Sequence, residues 1–371
     1  MRVLHLGKLC PPKEGGIEVF SYDLLEYLNS KGIRADLLCF GDKTFKENYK
    51  GFDFYSCKMN IKINSAPLSW DFIKTFKEIE KKYDLIHVHS PNPLAEFISI
   101  FSDKKVVAHW HSDIVKQKLT YFLYKPFQQM YLKKADKIIC TSPQYLNTSK
   151  QLEGFRDKGA IIPLGLNPRK FEDNQNDKNL KEEFEKLKNE GKKIVLSIGR
   201  LVEYKGFEYL VEAGKYINDN TAIVIVGGGP LFHVLKEKVK NLELEDKVFL
   251  TGRADTINGY IKNCDIFCLP SITRNEAFGL VLVEALYFGK PLITTDVYGS
   301  GMNYVNQNGI TGFVVPPRNP IALAEAINKI LGDANLYNNF SQNAKERFKE
   351  FEISNIGNRI IDLYKEILNR P

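Results

Sequence analysis

Two carboxylates stand eight positions apart in ITRNEAFGLVLVEALYFG, Glu276 and Glu284, and the second is set in an otherwise uncharged run. Burying an unpaired carboxylate is costly, so Glu284 needs strong hydrogen-bond donors if it faces inward. Its helical neighbours Leu280, Val281, Tyr287 and Phe288 offer no polar face to join. The paired hydroxyls of a ribose would suit it, as they suit acidic residues in dinucleotide sites. Gly279 begins the helix, which runs to Phe288, and Glu276 lies in the loop before its positive end. Upstream, VLSIGRLVEYKGF puts Arg200 at a strand end and Lys205 where a helix begins at Gly206. A forked guanidinium and a point-charge ammonium beside a helix N-terminus make a clamp for a diphosphate.

The glycines carry less. Gly15–Gly16 in KLCPPKEGGIEVF open a helix whose backbone N–H groups attract anions, but an isolated pair is more often only a strand-to-helix turn. GGGP at Gly227–Pro230 ends another strand without G-x-G-x-x-G spacing, and no Walker motif occurs. Four histidines sit in HVHS and AHWHSD. His87, His89 and His109 read as structural residues at strand ends, while His111 is a candidate for chemistry. The six cysteines form no C-x-x-C and most lie in apolar runs, which fits reduced buried thiols and neither zinc nor disulfides.

These residues need a scaffold, and the hydrophobic pattern supplies one. RVLHLGK, ADLLCF, YDLIHVHS, KKVVAHWH and DKIICTS alternate with helical patterns, and a second series runs through KKIVLSIGR, TAIVIVGGG, KVFLTGR, CDIFCLPS, KPLITTD and GFVVPP. Such alternation predicts α/β architecture with parallel sheets covered by helices. A polar stretch after residue 167 marks the divide near Glu172. The expected domains are 1–172 and 173–350, both Rossmann-like, with a cleft between them. A helix over 351–371 returns toward the first.

The 371 residues exceed one ordinary core, and 43% hydrophobic with 26% charged residues is a globular composition. No apolar run reaches the ~20 residues of a spanning helix, and MRVLHLGK enters a strand directly, which predicts a cytoplasmic protein. The net charge of +7 is uneven: residues 1–172 hold 27 Lys and Arg against 19 Asp and Glu. Residues 114–137 interleave six lysines with five aromatics, a candidate docking face for an anionic membrane surface or else an ordinary solvated helix. No nucleic-acid-binding motif accompanies the charge.

Taken together, GGIEVF, HVHSP, SIGRLVEYKGFEYLVEA, VGGGP and NEAFGLVLVEALYFGKPLI resemble the retaining glycosyltransferases of family 4, over essentially the whole chain. The resemblance implies the GT-B fold, two Rossmann-like domains facing across a cleft. It makes Arg200 and Lys205 the clamp on the donor diphosphate, with Gly199 beside them and Gly15 and Gly16 closing from the first domain. Glu276 would hold donor-sugar hydroxyls, the N–H groups of Phe278, Gly279 and Leu280 would meet sugar or phosphates, and Glu284 would bind the ribose. Arg253 falls where family members contact the base. His111 matches the histidine near the reacting sugar carbon, and Asp113 is an orienting or acceptor-side candidate.

The resemblance also implies the chemistry. The leaving phosphate takes the acceptor proton in a front-side attack, so no carboxylate nucleophile is assigned. There is no D-x-D element, and no metal or other cofactor is expected. The expected substrates are a nucleotide-sugar donor and a lipid-linked or oligosaccharide acceptor of O-antigen, lipopolysaccharide or capsule assembly, on the inner face of the cytoplasmic membrane. PSITRNEAFGLVLVEA and YVNQNGITGFVVPPRNP are most similar to transferases of GDP-mannose or a related GDP-sugar. A UDP-sugar donor, a nucleotide-sugar 2-epimerase and an inactive glycan-binding module are the alternatives.

Overall fold

The computed structural model describes residues 1–12, 15–63, 66–114, 118–171, 180 and 182–369. The chain forms two compact units, Met1–Asn167 with Glu352–Pro371, and Pro168–Phe351.

In the first unit β1 (Arg2–Leu9) leads into α1 (Gly16–Ser30), then β2 (Arg34–Gly41), β3 (Phe45–Tyr49) and β4 (Phe52–Lys58). A small hairpin, β5 (Ile61–Ile63) and β6 (Ala66–Leu68), precedes α2 (Trp70–Ile79). There follow β7 (Leu85–Ser90), α3 (Pro93–Ser99), β8 (Lys105–Trp110), α4 (Lys118–Lys134), β9 (Lys137–Cys140), α5 (Pro143–Thr148) and β10 (Gly159–Ile161). The main sheet has the order β10-β9-β8-β7-β1-β2-β4-β3, parallel except for the β3–β4 edge pair. Its central strands are buried on both faces, which is why they read as continuous apolar runs. Ser69, Asn92 and Ser142 cap α2, α3 and α5 through their side chains.

The second unit runs α6 (Glu182–Asn189), β11 (Lys193–Ile198), α7 (Phe207–Ala213), β12 (Thr221–Val226), α8 (Phe232–Asn241), β13 (Val248–Gly252), α9 (Asn258–Asn263) and β14 (Ile266–Leu269). It continues with α10 (Leu280–Tyr287), β15 (Leu292–Thr295), α11 (Met302–Val305), β16 (Gly312–Val315), α12 (Pro320–Gly332) and α13 (Ala334–Phe348). Its six strands are all parallel, in the order β13-β12-β11-β14-β15-β16, the doubly wound order that reverses between β11 and β14. Val195, Ile223, Ile225 and Ile266 form one buried core with Phe207, Leu210, Leu235 and Ile327 of the covering helices.

The last helix, α14 (Ile353–Leu368), belongs to the first unit. Ile356, Ile360, Leu363 and Ile367 are buried at helical spacing, and Gly357 lies where a Cβ would collide with the Tyr27 ring of α1. Tyr27 also donates to Asn358 Oδ1 at 2.9 Å.

One expectation is sharpened and a second corrected. The chain passes between units at Asn167–Pro168, a few residues before Glu172. The cause is Phe171, whose ring packs on Tyr287 and Phe288 at 4.5 and 5.4 Å, while the Lys170 carbonyl accepts from Asn258 Nδ2 at 3.1 Å. The polar stretch 172–179 lies outside the described residues. Second, Cys10 and Cys39 are joined as a disulfide, with Cα atoms 5.3 Å apart. The parallel register that sets Leu9 beside Phe40 brings them together, a proximity invisible in the local sequence. The other four cysteines are free and buried.

Candidate active site

In the second unit the strand order reverses between β11 and β14, and ligands of such sheets bind beyond the carboxyl ends of the strands at that point. Arg200 and Lys205 follow β11, and Glu276 follows β14. Ile272 N–H donates to the Tyr204 carbonyl at 2.8 Å and stitches the two loops. Gly206 takes φ +67° with a Cβ position that Pro270's carbonyl already fills, so only glycine lets the loops approach this closely. The result is a direct ion pair between Lys205 Nζ and Glu276 Oε2, with side chains 11% and 12% exposed. Ser271 Oγ adds a bond to the same carboxylate oxygen at 3.3 Å. Burial alone would lower the Lys205 pKa, but the Glu276 carboxylate outweighs it and holds the ammonium above its ordinary value. Arg200 is exposed and makes no ion pair among the described residues, so it is the outward-facing cation of the pair.

The Glu276 loop is rigidly held. Ser300 Oγ donates to the Glu276 carbonyl, Gly301 N–H donates to Ala277's carbonyl at 2.8 Å, and Thr295 Oγ1 donates to Ser271's. Phe278 is buried, and Gly279, at φ +81°, caps α10. The N–H groups of a helix's first turn, which here begins at Leu280, have no acceptor within the helix, and that of Leu282 donates to the carbonyl of the cap residue Gly279 at 2.8 Å. Glu284 sits one turn further, about 6 Å along the axis. It is half-buried on a stripe with Leu280, Val281, Tyr287 and Phe288, while Leu282, Val283, Ala285 and Leu286 face the core. Its apolar sequence context thus reflects a helix whose less buried side is also apolar.

The glycine loop has a different explanation from phosphate binding. A Cβ on Gly227 would collide with the Gly199 carbonyl and one on Gly229 would lie 2.5 Å from that of Leu201. The two loops are bonded through Leu201 N–H to Gly228 O at 3.0 Å and Leu231 N–H to Leu201 O at 3.2 Å. Gly228 also makes room for Arg253, whose Cγ and Nε would lie 2.8 Å from an added Cβ.

In the first unit Gly15 precedes α1 and leaves space for the Glu18 carboxylate, whereas a Cβ on Gly16 would meet nothing within 4 Å. Gly16 is therefore not required by packing within the unit. His111 follows β8 and is buried. The Asp113 carboxylate accepts from Trp110 Nε1 at 3.0 Å and from Ser149 Oγ at 2.7 Å. The His111 ring bonds instead to His89, Nε2 to Nδ1 at 3.0 Å, so Asp113 does not orient it as the sequence suggested. His5, His87 and His109 complete a cluster of five buried histidines. Burial pushes each of them down, His89 to about 3 and the others well below 6.5, so all are neutral near pH 7. The sequence signal was the period-2 spacing H-V-H and H-W-H, which puts each pair on one face of its strand.

The family model described as Glycosyltransferase Family 4 matches residues 14–170, and that described as Glycosyl transferases group 1 matches residues 178–347. The O-antigen chain mannosyltransferase C of Escherichia coli is 34% identical over 99% of this chain and 99% of its own. This chain belongs to the family 4 glycosyltransferases. Another relative of this glycosyltransferase, the D-rhamnosyltransferase WbpZ of Pseudomonas aeruginosa, is 30% identical over 94% of this chain and 92% of its own. Anabaena HepE, solved in complex with UDP, superposes with a TM-score of 0.81 over 99% of this chain and 100% of its own at 19% identity. The two Rossmann-like units are those of the GT-B fold, and the enzyme is a hexosyltransferase.

Proposed function

We propose that the enzyme transfers a hexose from a nucleotide sugar to a lipid-linked glycan of a bacterial surface polysaccharide, with retention of configuration, no metal ion and a GDP-sugar of the mannose type as donor. The observation that carries this reading is the Lys205–Glu276 pair beside exposed Arg200 at the β11/β14 reversal. Charge grows on the diphosphate as the glycosidic bond breaks, and fixed cations with the N-terminus of α10 stabilise it without a metal. Glu276, locked by Lys205 and Ser271, presents its remaining acceptor capacity to donor-sugar hydroxyls. Glu284 holds the ribose, and Arg253 is the candidate contact of the base. A leaving phosphate that takes the acceptor proton leaves no step for a carboxylate nucleophile. The O-antigen chain mannosyltransferase supports the acceptor class and the sugar, and the D-rhamnosyltransferase supports transfer of a hexose of related type.

We place the enzyme peripherally on the inner face of the cytoplasmic membrane. Among the described residues no helix is long and apolar enough to cross a membrane. Phe122, Leu123, Phe127 and Met130 of α4, with Phe97 of α3 and Phe101 just after it, are exposed, and Lys125 and Lys133 of α4 are exposed as well. Exposed aromatics interleaved with lysines suit an anionic surface. Val115, Lys116 and Gln117 of the candidate segment lie outside the described residues.

Thermal-shift titration with GDP, UDP, ADP and dTDP tests the base, since stabilisation follows occupancy. GDP should give the largest shift, and a larger UDP shift replaces the donor by a UDP-sugar. Transfer to a lipid-linked acceptor should survive EDTA and give a product of unchanged anomeric configuration. Release of free sugar without acceptor would make the enzyme an epimerase.

A further inference from the structure

The five buried histidines and one tyrosine of α14 form a single chain of hydrogen bonds with two open ends. His111 Nε2 meets His89 Nδ1 at 3.0 Å, and His5 Nδ1 meets His89 Nε2 at 3.1 Å. Tyr364 OH lies 3.4 Å from His5 Nε2 and 2.6 Å from His87 Nδ1, and His87 Nε2 meets His109 Nδ1 at 3.1 Å. The ends, His111 Nδ1 and His109 Nε2, are buried without a hydrogen-bond partner among the described residues. The His89 and His111 rings are 5° from parallel with centres 5.3 Å apart, which with nitrogens 3.0 Å apart leaves room for little but a straight N–H···N line. The two arms stack where they run side by side, His5 on His87 and His109 on His111, each with centres 4.3 Å apart.

The ring nitrogens also gather in two groups of three within 4.8 Å, a spacing compatible with a metal. A metal would need lone pairs converging on one point about 2.0–2.1 Å from each nitrogen. Here they aim at one another across 3.0–3.1 Å, as hydrogen bonds do.

Each neutral imidazole brings one N–H and the phenol one O–H, so every link receives one hydrogen and one is left for a single end. The chain must therefore point one way throughout. The 2.6 Å link suits an O–H donor better than an N–H donor, which points the chain from His111 toward His109. Tyr364 thus donates to His87, which donates to His109, leaving an N–H at His109 Nε2. On the other arm His5 donates to the phenol oxygen, His89 to His5 and His111 to His89. Ser21 Oγ touches His89 Nδ1 at 3.3 Å, but its hydrogen goes to the Ile17 carbonyl at 2.7 Å.

We propose that Tyr364 is a positioning residue that, through His5 and His89, fixes His111 as the Nε2–H tautomer and so presents a bare Nδ1 as the acceptor for a sugar hydroxyl. An unmet buried acceptor is unfavourable, and a hydroxyl donor resolves it. The catalytic half of the proposal rests on the reading of His111 as a contact of the reacting sugar. Burial keeps the rings neutral and holds the Tyr364 phenol far above its ordinary pKa, so the hydrogen count stands near pH 7.

The test is long-range ¹H–¹⁵N correlation of the full chain labelled with ¹⁵N-histidine, with His111 assigned by its loss in His111→Gln. Wild-type protein should show His111 protonated at Nε2, and Tyr364→Phe should bring in the Nδ1–H form to a comparable population. kcat should fall about three- to tenfold with donor KM within about twofold. An Nδ1–H His111 in the wild type overturns the proposal whether or not any variant folds. So does an unchanged tautomer in natively folded Tyr364→Phe, or one equivalent of transition metal in the purified protein. Full activity of His111→Ala would overturn the catalytic half alone, while the spectrum still decides the chain.

Discussion

Acid should unfold the first unit well before the second. All five buried histidines lie in the first unit, and the sixth, His233, is on α8 of the second. Their folded pKa values lie below the ordinary 6.5, with His89 near 3. Below pH 6.5 the unfolded chain therefore binds more protons than the folded one, so stability is full above that pH and lost as pH falls toward the folded values. Between about pH 7.5 and 5.5 one such ring costs about 1.4 kcal/mol, and five cost at most about 7 kcal/mol, comparable with the whole stability of a domain. Half-buried Glu18 and buried Glu96 have pKa values raised by desolvation and act in the opposite sense, but only two carboxyls oppose five rings. Both tryptophans, Trp70 and Trp110, are in the first unit, so fluorescence during urea unfolding follows that unit alone. With a urea slope near ~2.5 kcal/mol/M, the midpoint should drop by about 2–3 M over this range. A drop corresponding to less than about 1.4 kcal/mol, the share of one ring, would show that the folded cluster takes up protons and would refute the reasoning.

Three further outcomes are expected. Glu276→Ala should lower kcat about 100-fold and also destabilise the second unit by about 3–5 kcal/mol, because it strands the Lys205 ammonium. Adding Lys205→Ala should recover most of that stability in a double-mutant cycle without recovering turnover; additive losses would show the pair to be uncoupled. Glu284→Ala should raise donor KM about tenfold with kcat within about twofold in steady-state assays, and the reverse split would remove its ribose role. Replacing Lys125, Lys133 and Lys134 by Glu should abolish sedimentation with anionic vesicles at moderate salt, while unchanged binding would end the docking role of α4.

Much of the scaffold was legible because parallel strands buried on both faces announce themselves as short apolar runs. The unit boundary was legible only to within a few residues, because polar composition marks where a chain is solvated and not where its last anchor lies. Phe171 is that anchor, and its partners Tyr287 and Phe288 are more than a hundred residues away. The Cys10–Cys39 pair escaped for the same reason, since it depends on which strands become neighbours. GGGP looked like a ligand loop because glycine is needed wherever backbones approach, and here the approaching backbone is the protein's own, at Gly199 and Leu201.

The site shows the same division between chemistry and topology. Residue types identified Arg200, Lys205, Glu276 and Glu284 as groups suited to a diphosphate and to sugar hydroxyls, but spacing along the chain assigned Lys205 and Glu276 to separate tasks. The strand order puts β14 beside β11, and Gly206 and the Ile272–Tyr204 bond then force the two loops together. A buried ammonium and carboxylate in contact act as one unit, each fixing the other's position, and the carboxylate holds the Lys205 ammonium above its ordinary pKa. Lys205 therefore does what a surface lysine could not: it fixes the Glu276 carboxylate that, in the proposed reading, accepts from sugar hydroxyls, while Arg200 stays exposed.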